Sequence, residues 1–133
     1  MRFPDFERAD FIYKPLPPQN HPRFENQKSL IKTILEKDVM LHYPYQRFDY
    51  IVDLLREAAI DPKVRSIKIN IYRVANNSQV MNALINAINN GKKVVVFLEL
   101  QARFDEEHNL YWSNKLKDNG AEVLHGNPGL KVH

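Results

Sequence analysis

The chain has 133 residues, of which 44% are hydrophobic and 26% are charged, and its formal net charge is +3. These values exclude an intrinsically disordered chain and allow one domain with a hydrophobic core. The sequence has no cysteine, which excludes disulfides and thiolate metal sites, and no apolar run near the roughly 20 residues that a membrane helix needs. We therefore expect a cytoplasmic protein without an integral membrane segment.

The beginning of the sequence is rich in proline, since five of the eight prolines lie within residues 1–22. Proline removes a backbone donor and restricts the residue before it, which predicts an extended, irregular segment. The segment also carries large apolar side chains such as Phe3, Phe6 and Phe11, so we expect it to pack against another surface. A short helix is predicted over residues 27–36.

Alternating helix and strand patterns follow this segment. Apolar residues recur at helical spacing over residues 48–59, and the Asp-Pro pair at 61–62 stops that helix. Residues 64–74 alternate between apolar and polar side chains, as is typical of a strand. Ser78 is the predicted N-cap of the next helix, and the Asn-Gly pair at 90–91 provides its C-terminal stop.

The same unit of strand, loop and helix then occurs a second time. Residues 94–100 are nearly all apolar, which is typical of a strand covered on both faces. Three acidic residues at 105–107 favour a helix start, an Asn-Gly pair at 119–120 ends that helix, and residues 122–125 form a short strand. Helices between successive apolar strands predict the α/β class, with a mainly parallel sheet flanked by helices.

Two arginines and one histidine follow the predicted strands. Arg73 and Arg103 come at the ends of the two long strands, and His133 follows the last short strand, each 30 residues from the next. Parallel strands end at a common edge, where open α/β sheets bind ligands. Only about six residues separate the last short strand from His133, whereas a parallel return needs roughly a dozen. The next strand should therefore run antiparallel, and the three side chains are expected to lie together.

These residue types suit phosphoryl transfer. Arginine offers a fixed fork of donors that matches phosphate oxygens, and a neutral imidazole is a competent nucleophile. Other interpretations stay open, because Arg103 has Asp105 and Glu106 as alternative ion-pair partners. Acidic residues at a helix start also need no metal to explain them. The residues by themselves indicate an α/β domain with an anion-binding site.

Four stretches carry a resemblance to a known family: KDVMLHYPY at 37–45, IKINIYRVA at 67–75, LELQARFDEE at 98–107 and PGLKVH at 128–133. They closely resemble bacterial polyphosphate kinase, of the large, multidomain, histidine-phosphorylated type. The resemblance implies that residues 1–36 are the end of that family's middle domain and a linker. It further implies that residues 37–133 are the first part of its first C-terminal, phospholipase D-like catalytic domain.

The resemblance also implies a function and roles for single residues. His133 is expected to be the phosphohistidine nucleophile in reversible transfer of the terminal phosphate of ATP to polyphosphate. Arg73 and Arg103 are expected to bind substrate phosphate next to a Mg²⁺ site, through phosphate or water, because a guanidinium has no lone pair to donate to a metal. The implied partners are ATP, ADP and polyphosphate.

For the whole protein the resemblance implies a homo-oligomer without a nucleic-acid partner, and peripheral contact with a membrane stays open. The isolated piece is expected to be inactive, because other parts of the family's site lie outside the sequence. Two alternatives remain. A phospholipase D-like phosphodiesterase or nuclease would use the same histidine without ATP. A non-catalytic nucleic-acid-binding module is opposed by the near balance of 19 basic and 16 acidic residues.

Overall fold

The computed structural model of the chain describes residues 13–14, 16–99 and 106–126. Most of the proline-rich segment, Arg103 and the stretch that ends at His133 lie outside these residues, so what was predicted for them stays a prediction. The described part contains α1 (Leu30–Glu36), α2 (Asp49–Ile60), β1 (Ser66–Ile71), α3 (Gln79–Asn89), β2 (Lys93–Leu98), α4 (Glu106–Asp118) and β3 (Glu122–His125). None of these helices combines the length and the apolar character needed to cross a membrane.

Side-chain caps mark the starts of α1 and α3. The Ser78 hydroxyl accepts a hydrogen bond at the start of α3, and Gly91 has a positive φ of 77° just beyond its end, so both predicted caps are confirmed. Asp61 follows the last residue of α2, also as predicted. α1 begins later than predicted, because the Ser29 side chain caps it.

The three strands form one parallel sheet in the order β1-β2-β3. Ile67 of β1 lies opposite Val94 of β2, and Val96 of β2 lies opposite Val123 of β3. Since parallel neighbours need a crossover, α3 joins the first pair and α4 joins the second. The predicted α/β class, with a parallel sheet and flanking helices, is confirmed.

β1 is shorter than the predicted strand over residues 64–74. Its pairing with β2 ends where the Glu99 N–H donates to the Ile71 carbonyl oxygen, at 3.1 Å. Val74 is buried in the core, but it reaches the core from the loop beyond the strand. The apolar pattern of a sequence indicates which residues are buried, whereas backbone hydrogen bonds set where a strand ends. At the C-terminal end of β1 the buried stretch is longer than the hydrogen-bonded strand.

α3 and α4 lie on the same face of the sheet. Leu84 of α3, Val96 of β2 and Leu116 of α4 are completely buried in the core between them. Two crossovers of the same hand between neighbouring strands place both helices on one side. On the other face Val95 and Phe97 are only half-buried. The sequence predicts that this strand is covered on both faces, and among the described residues that prediction is wrong.

Candidate functional site

Arg73 lies in the loop between β1 and α3, two residues beyond the last residue of β1. Its side chain is exposed, and its guanidinium carbon lies 5.2 Å from the centre of the Tyr72 ring. An aromatic face at this distance attracts a cation and favours one orientation of the arginine. The sheet therefore carries this side chain to its carboxyl edge, as the sequence predicts.

An open cavity of about 850 Å³ lies at this edge, a volume in the range of small-molecule sites. The end of β1, the loop after it and the first turns of α2 and α3 form its walls. The lining residues are Phe48, Asp49, Ile51, Val52, Ile69, Asn70, Ile71, Tyr72, Arg73, Val74, Ala75, Asn77, Ser78, Gln79, Val80 and Met81. Arg73 is the cationic side chain in this lining.

Two helices begin at the cavity, because it is lined by Asp49, the first residue of α2, and by Gln79, the first residue of α3. The free N–H groups and the dipole of a helix N-terminus favour anions. The Asp49 carboxylate opposes this effect, but it is paired with Arg47 at 2.9 Å. Together with Arg73, the two helix starts give the cavity a positive character.

Two pKa shifts occur beside the cavity. The hydrogen bond to Asp49, assisted by its charge, raises the pKa of the exposed Arg47, so this guanidinium keeps its proton. Burial raises the pKa of the Tyr43 phenol, whose ring centre lies 5.3 Å from that of Phe48 in the cavity wall. Tyr43 therefore stays neutral near pH 7 and adds no negative charge.

Ser78→Ala should lower the free energy of unfolding of the chain by about 1 kcal/mol, because an N-cap hydroxyl is lost. In the native chain that hydroxyl accepts from the Met81 N–H at 3.2 Å. Urea unfolding followed by circular dichroism measures the change. Ser66→Ala, at the exposed start of β1, is the matched control and should stay within about 0.5 kcal/mol of the native value. Equal effects of the two substitutions would contradict the role of the cap.

One of the three predicted site residues lies in the described part of the chain. Arg73 is at the predicted edge and lines the cavity. Arg103 and His133 lie outside the described residues, so their convergence with Arg73 stays a prediction.

The described residues offer few ligands to a metal ion. Across residues 13–14, 16–99 and 106–126 no group of three or more His, Asp and Glu side chains could hold one. Magnesium is commonly bound through one or two carboxylates, with substrate phosphates and water as the remaining ligands. Arg73 has no lone pair for a metal ion, so it can act beside such an ion only through phosphate or water.

Two buried polar residues at this edge are absent from the sequence-based prediction. Glu99, which follows β2, is 6% exposed, and Asn109, in the first turns of α4, is completely buried. Buried polar side chains are uncommon without a specific partner. The sequence features that could have revealed them are the carboxylate of Glu99 within an apolar run and the amide of Asn109 on the same helix face as Trp112.

Comparison with known protein families shows which family the chain belongs to. Residues 29–133 match the family model described as Polyphosphate kinase C-terminal domain 1. The chain belongs to the polyphosphate kinase family. The resemblance carried by the four sequence stretches is thereby confirmed.

Individual polyphosphate kinases are similar over nearly the whole chain. The polyphosphate kinase of Vibrio vulnificus strain YJ016 is 52% identical over 131 residues, which cover 98% of this chain and 19% of that protein. The polyphosphate kinase of Escherichia coli K12 is 46% identical, with 100% of this chain and 20% of that protein covered. The chain thus spans about a fifth of the length of these relatives.

A crystal structure of polyphosphate kinase from Porphyromonas gingivalis has the same fold. It matches with a TM-score of 0.72 and 47% sequence identity, over 87% of this chain and 19% of that chain. These likenesses do not favour a phosphodiesterase or a nucleic-acid-binding module.

Proposed function

We propose that this chain is part of an enzyme that transfers the terminal phosphate of ATP reversibly to polyphosphate. The main support is the position of Arg73 at a cavity where two helices begin, in a chain of the polyphosphate kinase family. ATP and polyphosphate are both polyanions, and a cavity with an arginine and two helix N-termini is suited to phosphate groups.

Phosphoryl transfer needs positioned substrates and stabilised charge more than covalent chemistry by the protein. Arg73 and Arg103 bind the oxygens of the transferred phosphoryl group through their guanidinium N–H donors. Mg²⁺, when bound, neutralises part of the charge on the phosphate oxygens. His133 supplies the attacking imidazole nitrogen.

The transfer proceeds in two steps. The lone pair of a neutral His133 nitrogen forms a bond to the terminal phosphorus of ATP, and the bond from that phosphorus to the bridging oxygen breaks, so ADP leaves with the electron pair. A terminal oxygen of polyphosphate then attacks the same phosphorus, the P–N bond breaks and the neutral imidazole is restored. Both steps can run in reverse, so the enzyme also makes ATP from polyphosphate and ADP.

The test is transfer of label from ATP labelled in its terminal phosphate, with the whole protein that contains this chain. We expect acid-precipitable polyphosphate to become labelled, and removal of divalent metal by EDTA to lower the rate by at least about a hundredfold, because phosphoryl-transfer enzymes depend on metal to neutralise phosphate charge. Added Mg²⁺ should restore the rate.

A phosphodiester substrate distinguishes the alternative activity. Cleavage of a diester without any need for ATP, together with no labelling of polyphosphate, would overturn the proposed function. Unchanged labelling after EDTA treatment would overturn the metal requirement alone.

A further inference from the structure

The buried face of α4 is polar along its first half. Asn109, Trp112 and Ser113 are all at least 97% buried, and they share this face with the completely buried Leu116. Positions three and four apart lie on one side of a helix. We call the first three residues the polar face of α4. A helix that only packed on the sheet would present apolar side chains at these positions.

Asn109 connects the ends of two strands. Its Nδ2 group donates to the Tyr72 carbonyl oxygen at 2.9 Å and to the Glu99 carbonyl oxygen at 2.6 Å. Both partners are acceptors only, so the amide must present its N–H groups to them. Tyr72 is followed directly by Arg73, and Glu99 precedes Arg103 by four residues. One amide therefore ties the backbone just before Arg73 to the residue that follows β2.

The other two residues of the polar face contact the same edge of the sheet. The Trp112 indole N–H donates to the Ala75 carbonyl oxygen at 3.2 Å, in the loop that carries Arg73. Ser113 Oγ lies 3.2 Å from His125 Nε2, at the end of β3. α4 thus makes side-chain hydrogen bonds to the loop after β1, to the residue after β2 and to the end of β3.

The Oδ1 atom of Asn109 is buried and accepts no hydrogen bond, the one such side-chain atom found among the described residues. An unpaired buried acceptor lowers stability, and native proteins contain few of them. The two donated hydrogen bonds therefore account for an asparagine at this position.

We propose that Asn109 is a positioning residue for the phosphate site: it ties the loop of Arg73 to the end of β2, so that the Arg73 guanidinium is held in place at the cavity. The proposal rests on the proposed function, which gives both arginines to substrate phosphate. Small displacements of groups that position a substrate cost up to about a hundredfold in rate. Asn109 itself touches no substrate.

The test uses the whole protein and the rate of phosphate transfer from ATP to polyphosphate. Asn109→Leu keeps the size of the side chain and removes both donors, and we expect kcat/KM to fall by about tenfold to a hundredfold. Asn114→Leu is the matched control, because Asn114 is exposed on the same helix. Its rate should stay within about twofold of the native rate, as for most surface substitutions.

A double-mutant cycle separates positioning from a general loss of structure. Arg73→Lys keeps the charge and loses the fork of donors, so it should lower the rate without abolishing it. If Asn109 acts through Arg73, Asn109→Leu should cost less than about threefold in the Arg73→Lys background, since residues that act together are not additive. The same fold-loss in both backgrounds would overturn the proposal.

Failure of the inference can be distinguished from failure of the proposed function. An unchanged rate in Arg73→Lys alone would show that the fork of donors of Arg73 is not needed, and would remove the inference while phosphate transfer itself persists. A lowered rate in Arg73→Lys with a fully additive Asn109→Leu would remove the inference alone. If Asn109→Leu does not fold, Asn109→Ala replaces it in the cycle, because it also removes both amide donors without placing a branched apolar side chain against the two carbonyl oxygens, and additivity there would equally overturn the proposal.

Discussion

His133→Ala in the whole protein is expected to abolish the acid-labile phosphate label that ATP leaves on the enzyme. A phosphoramidate bond needs an imidazole nitrogen, and alanine offers no nucleophile in its place. Polyphosphate synthesis should fall by at least about a thousandfold, since loss of a nucleophile removes the main reaction path. Labelled ATP followed by mild acid treatment and autoradiography of the denatured protein measures the intermediate.

The control for this substitution is His125, a histidine at the carboxyl edge of the sheet. His125, the last residue of β3, is held by protein groups: its Nδ1 lies 3.4 Å from the Leu98 carbonyl oxygen, and its Nε2 lies 3.1 Å from Lys117 Nζ. His125→Gln should therefore keep the label. Label that persists in His133→Ala and disappears in His125→Gln would transfer the nucleophile to His125.

Arg73→Ala and Arg103→Ala should each lower kcat/KM for phosphate transfer by about a thousandfold, the lower end of what an arginine on a transferring phosphoryl group contributes. Each change removes a permanent charge and two donors from the phosphate oxygens. Initial rates at fixed Mg²⁺ and ionic strength, with ATP and polyphosphate varied in turn, measure the effect.

Arg56→Ala is the matched control for the two arginines. Arg56 is exposed on α2 and pairs with Asp53 at 3.2 Å, so its loss removes the same charge at a position outside the cavity lining. Its rate should stay within about twofold of the native rate, because an exposed ion pair contributes little. If the rate of Arg73→Ala equalled that of Arg56→Ala, the position of Arg73 at the cavity would not matter. Arg73 would then have no part in binding phosphate.

Local patterns were sufficient for the order of the elements. The N-cap at Ser78, the positive φ at Gly91 and the two strand-loop-helix units are properties of short stretches, and the parallel sheet follows from the crossovers between its strands. The edge on which Arg73 lies follows from strand direction alone, and the structure agrees.

Strand boundaries and sheet coverage were less accurate, for a physical reason. Val74 is apolar because it reaches the core, so hydrophobicity extended the predicted strand beyond the last hydrogen-bonded pair at Ile71. The apolar run in β2 predicted cover on both faces, but the handedness of the crossovers places α3 and α4 on one side.

The sequence by itself determined the α/β class, the family and the arginine at the carboxyl edge, because each depends on residues close together in the chain or on strand direction. Only the tertiary structure decided the role of Asn109 as a link between Tyr72 and Glu99, which lie 37 and 10 residues away from it. The periodicity of a helix reports which side is buried. It does not report which backbone carbonyl oxygens the buried side will contact, because separate strands bring those oxygens into reach only when they align in one sheet.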